Sequence, residues 1–234
     1  MTRRRWIADE YSAQTAALTG ANAAHLARTL RARVGQEFQV ACGDRVRVAV
    51  VEAVGEDRVE FALREEVVAP VAVPITLLLA IFKFDRMEWA IAKCTELNVT
   101  TIIPVIARRT ENHLALAAVK RAQRWRRIAR EAAEQSRRVV PPDIGEPAKL
   151  SKALTHDAEL RIVLAESERE MALSDLLRSR DQVRSIALAV GPEGGWTAEE
   201  LEAFSQSQWI AASLGETILR AETAAIAALA VARS

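Results

Sequence analysis

Polar and apolar residues alternate along much of the first 70 positions of the chain. Three segments show this alternation, with glycine-containing turns between them: 37–40, 45–50 and 58–63. A period of two is typical of strands that bury one face and expose the other. The region is therefore predicted to be a small, mostly antiparallel β unit. A short basic helix is expected at 25–33, and residues 69–74 are the expected linker.

After Pro74 the spacing of apolar residues changes. Ile75–Ala80 is an almost continuous apolar run, which is typical of a strand buried on both faces. A helix is expected to begin at Asp85, with Glu88 at N3, three residues later, because the apolar residues that follow recur at helical spacing. Asn98 is expected to end this helix in a left-handed conformation.

Strands and helices continue to alternate towards residue 234. Further strands are expected at 99–106, 160–165, 185–190 and 208–212. Further helices are expected at about 116–138 and after Ser174, Thr197 and Ala221. Strands that alternate with helices predict a mostly parallel α/β sheet.

The composition is that of an ordinary globular chain, with 50% apolar and 27% charged residues among 234. No apolar run reaches the roughly 18–20 residues that cross a bilayer, so no membrane segment is expected. Cys42 and Cys94 are too few for a disulfide framework or a cysteine zinc cluster. A cytoplasmic location is therefore expected.

Positive charge is concentrated in two blocks, although the net charge is only +1. Residues 1–33 carry six arginines, and 120–138 carry eight lysines and arginines. Such a local excess attracts polyanions even when the whole molecule is nearly neutral. A solvated helix face explains many blocks of this kind, so nucleic-acid binding is favoured only moderately.

Several classes of enzyme lack their signatures in this chain. The sequence has no G-x-G-x-x-G fingerprint, no Walker loop and no G-x-S-x-G elbow. The three histidines are scattered without metal-ligand spacing, so no metal is expected.

The strongest signal for a site is the loop 191–196, Gly-Pro-Glu-Gly-Gly-Trp. It follows a buried strand and precedes a capping box, with Thr197 as the N-cap and Glu200 at the third helical position. Open α/β sheets bind ligands at the carboxyl ends of their strands. Two further strand ends belong with this loop: 162–166, and 212–225, whose apolar residues surround a glycine.

These segments resemble a known family. The Gly-Pro-Glu-Gly-Gly loop, followed by Leu214-Gly215-x-x-Ile-Leu-Arg-x-Glu-Thr-Ala, is similar to the cofactor loops of the SPOUT methyltransferases, and within them to the RsmE family. Residues 86–97 resemble the family's R-M-E-x-x-x-x-K-x-x-E-L helix. Residues 131–136 resemble its E-A-x-E-Q-S segment, and 25–31 its H-x-x-x-V-L-R segment.

The resemblance implies a fold, an activity and partners. The expected fold is an α/β, SPOUT-type, trefoil-knotted parallel sheet domain at 74–234, preceded by a PUA-like RNA-binding β-barrel domain at 1–70. The implied activity is methylation of N3 of a uridine in 16S ribosomal RNA of the small ribosomal subunit, with S-adenosyl-L-methionine as cofactor. The implied assembly is a homodimer.

The chain departs from the family pattern at two positions in the last loop. Thr217 and Ala221 stand where the family usually has an arginine and a threonine. The missing arginine removes a bidentate partner for phosphate or carboxylate, which bears on the substrate more than on the cofactor.

With the family as a guide, each site residue receives an expected role. Arg220 is expected to orient the uracil carbonyl or an RNA phosphate and to stabilise the anion that forms. Glu222 is expected to remove the proton, to anchor Arg220, or only to complement the helix dipole. The expected cofactor contacts are Leu164, Ala165, Glu166, Gly191, Pro192, Glu193, Gly194, Gly195, Leu214, Gly215, Ile218 and Leu219.

RNA contacts are assigned to basic residues of the two blocks. The first set is Arg3, Arg4, Arg5, Arg28 and Arg31, and the weaker set is Arg124, Arg127, Arg137 and Arg138. Two alternatives to the main hypothesis remain open. One is a SPOUT methyltransferase with a different RNA target, including the ribose 2′-oxygen; the other is a non-catalytic RNA-binding protein of ribosome assembly.

Overall fold

The computed structural model describes residues 5–68, 72–180 and 182–234. These residues form two compact units. The first unit contains residues 5–68 together with 133–141, and the second contains 72–132 and 142–234. The segment 133–141 falls within the predicted 74–234 domain, yet it makes its contacts in the first unit.

The first unit is a curled, mixed β-sheet of six strands. In chain order its strands are β1 (Trp6–Ile7), β2 (Glu10–Tyr11), β3 (Thr15–Thr19), β4 (Glu37–Cys42), β5 (Arg45–Val54) and β6 (Arg58–Val67). The sheet order is β1-β4-β5-β6-β3-β2, with β1 parallel to β4 and the other pairs antiparallel. The half-barrel confirms the predicted small β unit.

The basic helix expected at 25–33 lies slightly earlier. Helix α1 (Gly20–Ala24) continues into one π-helical turn over His25–Thr29. Two register shifts between β5 and β6 increase the local twist, as β-bulges do. Trp6, Leu18 and Phe61 are fully or almost fully buried in the core of this unit.

The second unit is a seven-stranded parallel sheet with helices between the strands. Its strands are β7 (Ile75–Ala80), β8 (Thr101–Ile106), β9 (Asp143–Ile144), β10 (Ala148–Lys149), β11 (Leu160–Leu164), β12 (Ile186–Val190) and β13 (Ile210–Ala212). The order is β10-β8-β7-β12-β11-β13, and β9 pairs with β8. Every pair is parallel, which confirms the predicted α/β class.

Within the described residues, six helices accompany this sheet. They are α2 (Phe84–Glu96), α3 (Asn112–Gln135), α4 (Leu150–Ala153), α5 (Leu173–Arg178), α6 (Ala198–Gln206) and α7 (Ala221–Arg233). The last residues of α3 belong to the first unit.

Both faces of the parallel sheet are buried, as its continuous apolar strands predict. In β7, Ile75, Leu77 and Leu79 join one apolar cluster, whereas Leu78 and Ala80 join the cluster on the opposite face. Strand β12 divides its residues between the same two clusters. With both faces covered, the loops at the strand ends are the parts of the sheet region that a ligand can reach. The trefoil knot stays a prediction.

Helix α2 begins at Phe84, one residue before the expected start. Its N-cap is Lys83, which makes no side-chain capping bond, so N3 is Arg86 and not Glu88. Glu88 instead accepts hydrogen bonds from Arg121 (3.2 Å) and Arg124 (2.8 Å) on α3. Asn98 has the predicted left-handed conformation, with φ 63°.

Arg233, at the end of α7, is bonded to three main-chain carbonyls of the second unit. Its guanidinium donates to the carbonyl of Val73 at 2.6 Å, to that of Leu97 at 3.3 Å and to that of Asn98. The last helix is thereby fastened to the segment before β7 and to the end of α2. Burial lowers the pKa of this arginine.

Candidate functional site

A cavity of about 530 Å³ lies at the carboxyl ends of β11, β12 and β13. Three loops form it: the one after β11, the glycine-rich one after β12, and the one between β13 and α7. Because the three strands are parallel neighbours, their carboxyl ends meet at one edge of the sheet. The cavity has the size usual for small-molecule sites.

The structure brings all of the predicted cofactor residues to this cavity. Those lining it include Leu164, Ala165, Glu166, Gly191, Pro192, Glu193, Gly194, Gly195, Leu214, Gly215, Ile218 and Leu219. The structure thus brings together residues as far apart in the chain as 164 and 219, which are separated by 55 positions. The contacts that these residues make with a cofactor stay a prediction.

The glycine-rich loop turns tightly after β12. The Gly195 amide donates to the Pro192 carbonyl at 2.8 Å, and Gly195 has φ +70°, which an L side chain rarely adopts. A Cβ on Gly191 would lie 3.3 Å from the indole Nε1 of Trp196. That nitrogen is buried and has no hydrogen-bond partner among the described residues.

Helix α6 begins directly after the loop with the predicted capping box. The Glu200 amide donates to Thr197 Oγ1 at 3.3 Å, and the Thr197 amide donates to Glu200 Oε2 at 2.9 Å. Glu200 is only 4% exposed, and its other oxygen accepts from the Arg108 amide at 2.7 Å. One carboxylate thus fixes both the end of the glycine-rich loop and the loop after β8.

The loop between β13 and α7 is held to the loop after β11. The Ser213 amide donates to the Met171 carbonyl at 2.9 Å, and the Leu173 amide donates to the Ser213 carbonyl at 2.9 Å. Ile218, further along, is 76% exposed even though it lines the cavity. An exposed isoleucine at the mouth of a cavity is an apolar surface available to a bound molecule or partner.

Arg220 lies beside the cavity without lining it. It is the exposed N-cap residue of α7, and its carbonyl accepts from the Ala224 amide at 2.8 Å. Its neighbours Leu219 and Ala221 both line the cavity. The side chain is therefore next to the site and open to solvent.

Glu222 is buried and faces a different arginine from the one expected. Its Oε1 lies 3.5 Å from Nη1 of Arg86 on α2, and the carboxylate side chain is 9% exposed. Its Oε2 has no hydrogen-bond partner in the part of the chain that the structure describes. Among the same residues, no hydrogen bond or ion pair joins Glu222 to Arg220, so the structure does not support the expectation that Glu222 anchors Arg220.

The predicted RNA contacts have different environments. Arg3 and Arg4 lie outside the described residues. Arg5 is half-buried: its guanidinium donates to Gln39 Oε1 at 3.1 Å and to the Arg137 carbonyl, and burial followed by the charge of Arg137 lowers its pKa. Arg31 is exposed, with φ 52°, and Arg28 lies 3.9 Å from Glu56.

The weaker set of predicted RNA contacts is more engaged within the protein. Arg124 is bonded to Glu88, and Arg127 lies 3.8 Å from Glu131. These glutamates leave less free positive charge on this helix than its sequence suggests. Among the described residues there is no group of three or more potential metal ligands, and no helix long and apolar enough to cross a membrane.

Sequence reasoning did not single out two arginines that line the cavity, Arg109 and Arg169. Arg109 follows β8, and Arg169 lies in the loop after β11. A charged residue soon after a buried strand was the available signal, because that position is at the ligand-binding edge of a parallel sheet. Arg86, the partner of Glu222, begins the family-like helix motif at 86–97, but the motif did not indicate its partner.

Comparison with known proteins defines the class of this chain. The family model described as an RNA methyltransferase domain matches residues 69–233. A ribosomal RNA small subunit methyltransferase E from Rickettsia conorii is 34% identical over 217 residues, which cover 89% of this chain and 85% of the relative.

Two solved structures are similar over nearly their whole length. One is a ribosomal RNA small subunit methyltransferase E from Neisseria gonorrhoeae bound to S-adenosyl methionine, with a TM-score of 0.86 and 30% identity, covering 97% of this chain and 95% of that one. The other is a Legionella pneumophila protein in complex with SAM, with a TM-score of 0.84 and 27% identity, covering 100% and 97%. The chain belongs to the ribosomal RNA small subunit methyltransferase E family, as its motifs predicted.

Proposed function

We propose that this protein transfers a methyl group from S-adenosyl-L-methionine to N3 of a uridine in 16S ribosomal RNA of the small ribosomal subunit. The observation that carries the proposal is the cavity that three separate strand-end loops form with all of the predicted cofactor residues. Similar proteins have been solved with this cofactor bound.

The residues of the cavity fit S-adenosyl-L-methionine. Apolar side chains such as Leu164, Leu214 and Leu219 provide surface for an adenine, and the glycines of the loop allow close approach of a ligand to the main chain. Charged residues of both signs suit a ligand that carries both positive and negative groups. When bound, the cofactor supplies an electrophilic methyl whose bond to sulfur breaks as the bond to N3 forms.

Arg220 is the proposed contact with the reacting base. N3 of uracil is a weakly acidic imide, so negative charge spreads over the neighbouring carbonyl oxygens as the proton leaves. In this proposal the guanidinium stabilises that charge and orients the base, and its exposure next to cavity residues 219 and 221 supports the role. A uridine in structured RNA must leave its stack to reach this edge.

Glu222 is the second proposed participant. Its unpartnered Oε2 can accept a proton, whereas its Oε1 is turned to Arg86 at 3.5 Å. The Arg86 charge compensates the carboxylate and favours a supporting role at the start of α7. Turnover of Glu222→Gln separates the roles, because proton removal requires the carboxylate while helix support does not.

The first unit is proposed to bind RNA. Among the described residues, the exposed Arg28 and Arg31 are the proposed RNA contacts.

A homodimer is proposed for the assembly. The dimer is expected to cover Ile218 at the cavity mouth and so remove an exposed isoleucine from water. Sedimentation of the full chain at several concentrations tests the dimer. The cytoplasmic location stays a prediction.

The direct test uses unmethylated small ribosomal subunits and cofactor labelled in its methyl group. Nucleoside mass spectrometry of the recovered 16S RNA is expected to find labelled 3-methyluridine at one position. A labelled 2′-O-methylnucleoside, or label in another RNA, contradicts the proposed target. Cofactor binding without any transfer contradicts the proposed activity and favours an RNA-binding protein of ribosome assembly.

A further inference from the structure

Arg109 connects the loop after β8 to the glycine-rich loop. Its Nη1 donates a hydrogen bond to the Gly194 carbonyl, and the side chain lines the cavity. The aliphatic part of the Arg109 side chain also packs closely against the loop, since a Cβ added to Gly194 would lie 3.2 Å from Arg109 Cδ. A glycine at 194 therefore gives the arginine stem room to lie against the loop.

The main chain on both sides of Arg109 is fixed. The amide of Arg108 donates to the buried Glu200 carboxylate at 2.7 Å. Thr110, also buried, donates through Oγ1 to the Ile81 carbonyl at 3.1 Å and accepts from the Ala107 amide at 3.2 Å. A side chain on an anchored main chain loses less conformational entropy when it binds a ligand.

The guanidinium has donors left for a ligand. It carries five N–H groups, and within the described part of the chain it makes one hydrogen bond. The side chain is exposed at the cavity rather than buried beneath it. The other arginine at the cavity, Arg169, is also exposed, but no hydrogen bond of its guanidinium is found among the described residues.

The charges around the cavity restrict what Arg109 can recognise. Three acidic residues line it, Glu166, Glu193 and Glu216, against two cations, Arg109 and Arg169. The acids suit positively charged and hydroxyl groups of a ligand. An arginine is the best match for an anionic group, and of these two arginines only Arg109 is hydrogen-bonded to the glycine-rich loop among the described residues.

We propose that Arg109 determines specificity for the cofactor by binding the carboxylate of its amino-acid end. The inference rests on the proposed function, in which S-adenosyl-L-methionine occupies this cavity. The carboxylate is the only anionic group of that molecule. An RNA phosphate shares the chemistry of an anion, and the test below distinguishes the two sources.

The test compares two ligands that differ in the amino-acid end. S-adenosyl-L-homocysteine has the carboxylate, and 5′-methylthioadenosine lacks the whole amino-acid group. Calorimetry is used with the full-length wild type, Arg109→Met, Arg109→Lys, the competing candidate Arg169→Met and, as the matched control outside the cavity, Arg184→Met. Methionine keeps an unbranched stem and removes the charge at each position.

Arg109→Met is expected to weaken binding of S-adenosyl-L-homocysteine by about 10- to 100-fold, the range of a charge-assisted hydrogen bond. Binding of 5′-methylthioadenosine is expected to stay within about 3-fold, which also reports an intact cavity. Arg109→Lys is expected to recover part of the loss, Arg169→Met is expected to weaken S-adenosyl-L-homocysteine less than Arg109→Met does, and Arg184→Met is expected to change neither ligand by more than about 3-fold.

Three results overturn the inference. Equal weakening of both ligands in Arg109→Met means that the arginine only shapes the loop. Unchanged S-adenosyl-L-homocysteine binding with weaker, salt-dependent RNA binding assigns Arg109 to a phosphate. A larger selective loss in Arg169→Met assigns the carboxylate to Arg169. If the wild type binds neither ligand, the proposed function itself is wrong. If the wild type binds normally and Arg109→Met binds equally well, only the inference about Arg109 is wrong.

Discussion

Arg86 on α2 and Glu222 in the first turn of α7 form an ion pair, with 3.5 Å between Nη1 and Oε1. The pair is unequal, because the glutamate is almost fully buried while the arginine is about one-third exposed. A buried carboxylate depends on its compensating cation far more than an exposed cation depends on it. The pair therefore fixes the start of the helix that follows Arg220.

Removing Arg86 is expected to destabilise the protein more than removing an ordinary surface charge. Arg86→Met is expected to lower the free energy of unfolding by about 1–3 kcal/mol, because it leaves Glu222 buried without compensation. The double variant with Glu222→Gln is expected to lose less than the sum of the single losses. Urea denaturation measures all three. Lys93→Met, from an exposed pair with Glu96 on the same helix, is the control. Additive losses would contradict the coupling.

Arg220→Ala is expected to lower kcat by about 10²- to 10³-fold, the range for loss of a donor that stabilises an oxyanion. Cofactor affinity is expected to stay unchanged, since the side chain does not line the cavity. Methyl transfer to small subunits and separate calorimetry with the cofactor measure the two effects. Arg184→Ala is the control, because Arg184 precedes β12 at the opposite edge of the sheet and binds Glu159. Unchanged turnover removes Arg220 from the chemistry.

Glu200 is expected to support the cavity through two backbone amides. Glu200→Gln keeps the size but offers a single, uncharged acceptor, so one of the amides of Thr197 and Arg108 faces an NH2 group instead of an oxygen. The expected cost is about 1–3 kcal/mol in unfolding free energy, with weaker cofactor binding. Glu202→Gln, exposed on the same helix, is the matched control and is expected to change neither quantity measurably. Equal effects of the two substitutions would remove the special role of Glu200.

Neutralising Arg31 is expected to weaken RNA binding in a salt-dependent way. Asparagine is the suitable replacement, because residue 31 has φ 52° and asparagine tolerates this conformation. The slope of log affinity against log salt is expected to fall by about 1. Binding titrations at several salt concentrations measure it. Arg58→Ala is the comparison, since that guanidinium already binds Glu10 and Glu60. A slope unchanged by Arg31→Asn contradicts the assignment.

Both cysteines are expected to resist thiol reagents in the native protein. Burial raises the pKa of Cys94 to about 12, and it also raises the pKa of Cys42. Because the thiolate is the reactive form, a raised pKa leaves little of it at pH 8. Labelling with a chromogenic disulfide is expected to report no rapid thiol in the native state and two thiols in denaturant. One rapid thiol in the native state would show that a cysteine is accessible.

The long elements were predictable because burial alone determines their pattern. The apolar runs of β7 and β12 define strands buried on both faces, and their predicted bounds agree with the structure to within one residue. The two-residue strands β1, β2, β9 and β10 are too short to carry any period. Helix α3 begins at Asn112 instead of about 116, since its first turn lacks a strong apolar stripe.

The position of the cavity was also predictable from the sequence, but the long-range side-chain contacts that hold its loops were not. Its three loops all follow strands, and the carboxyl ends of parallel strands meet whatever their separation in the sequence. The bond between Arg109 and Gly194 joins positions 85 residues apart. The Arg86–Glu222 pair spans an even longer separation. No local spacing reports contacts of that kind, because they arise only when the sheet order brings the loops together.

The three carbonyl contacts of Arg233 have a mechanical consequence. They join the last turn of the second unit to Val73, just before its first strand, so the two ends of this unit are fastened to each other. A pulling force applied at these ends would load the guanidinium bonds before it reached the parallel strands.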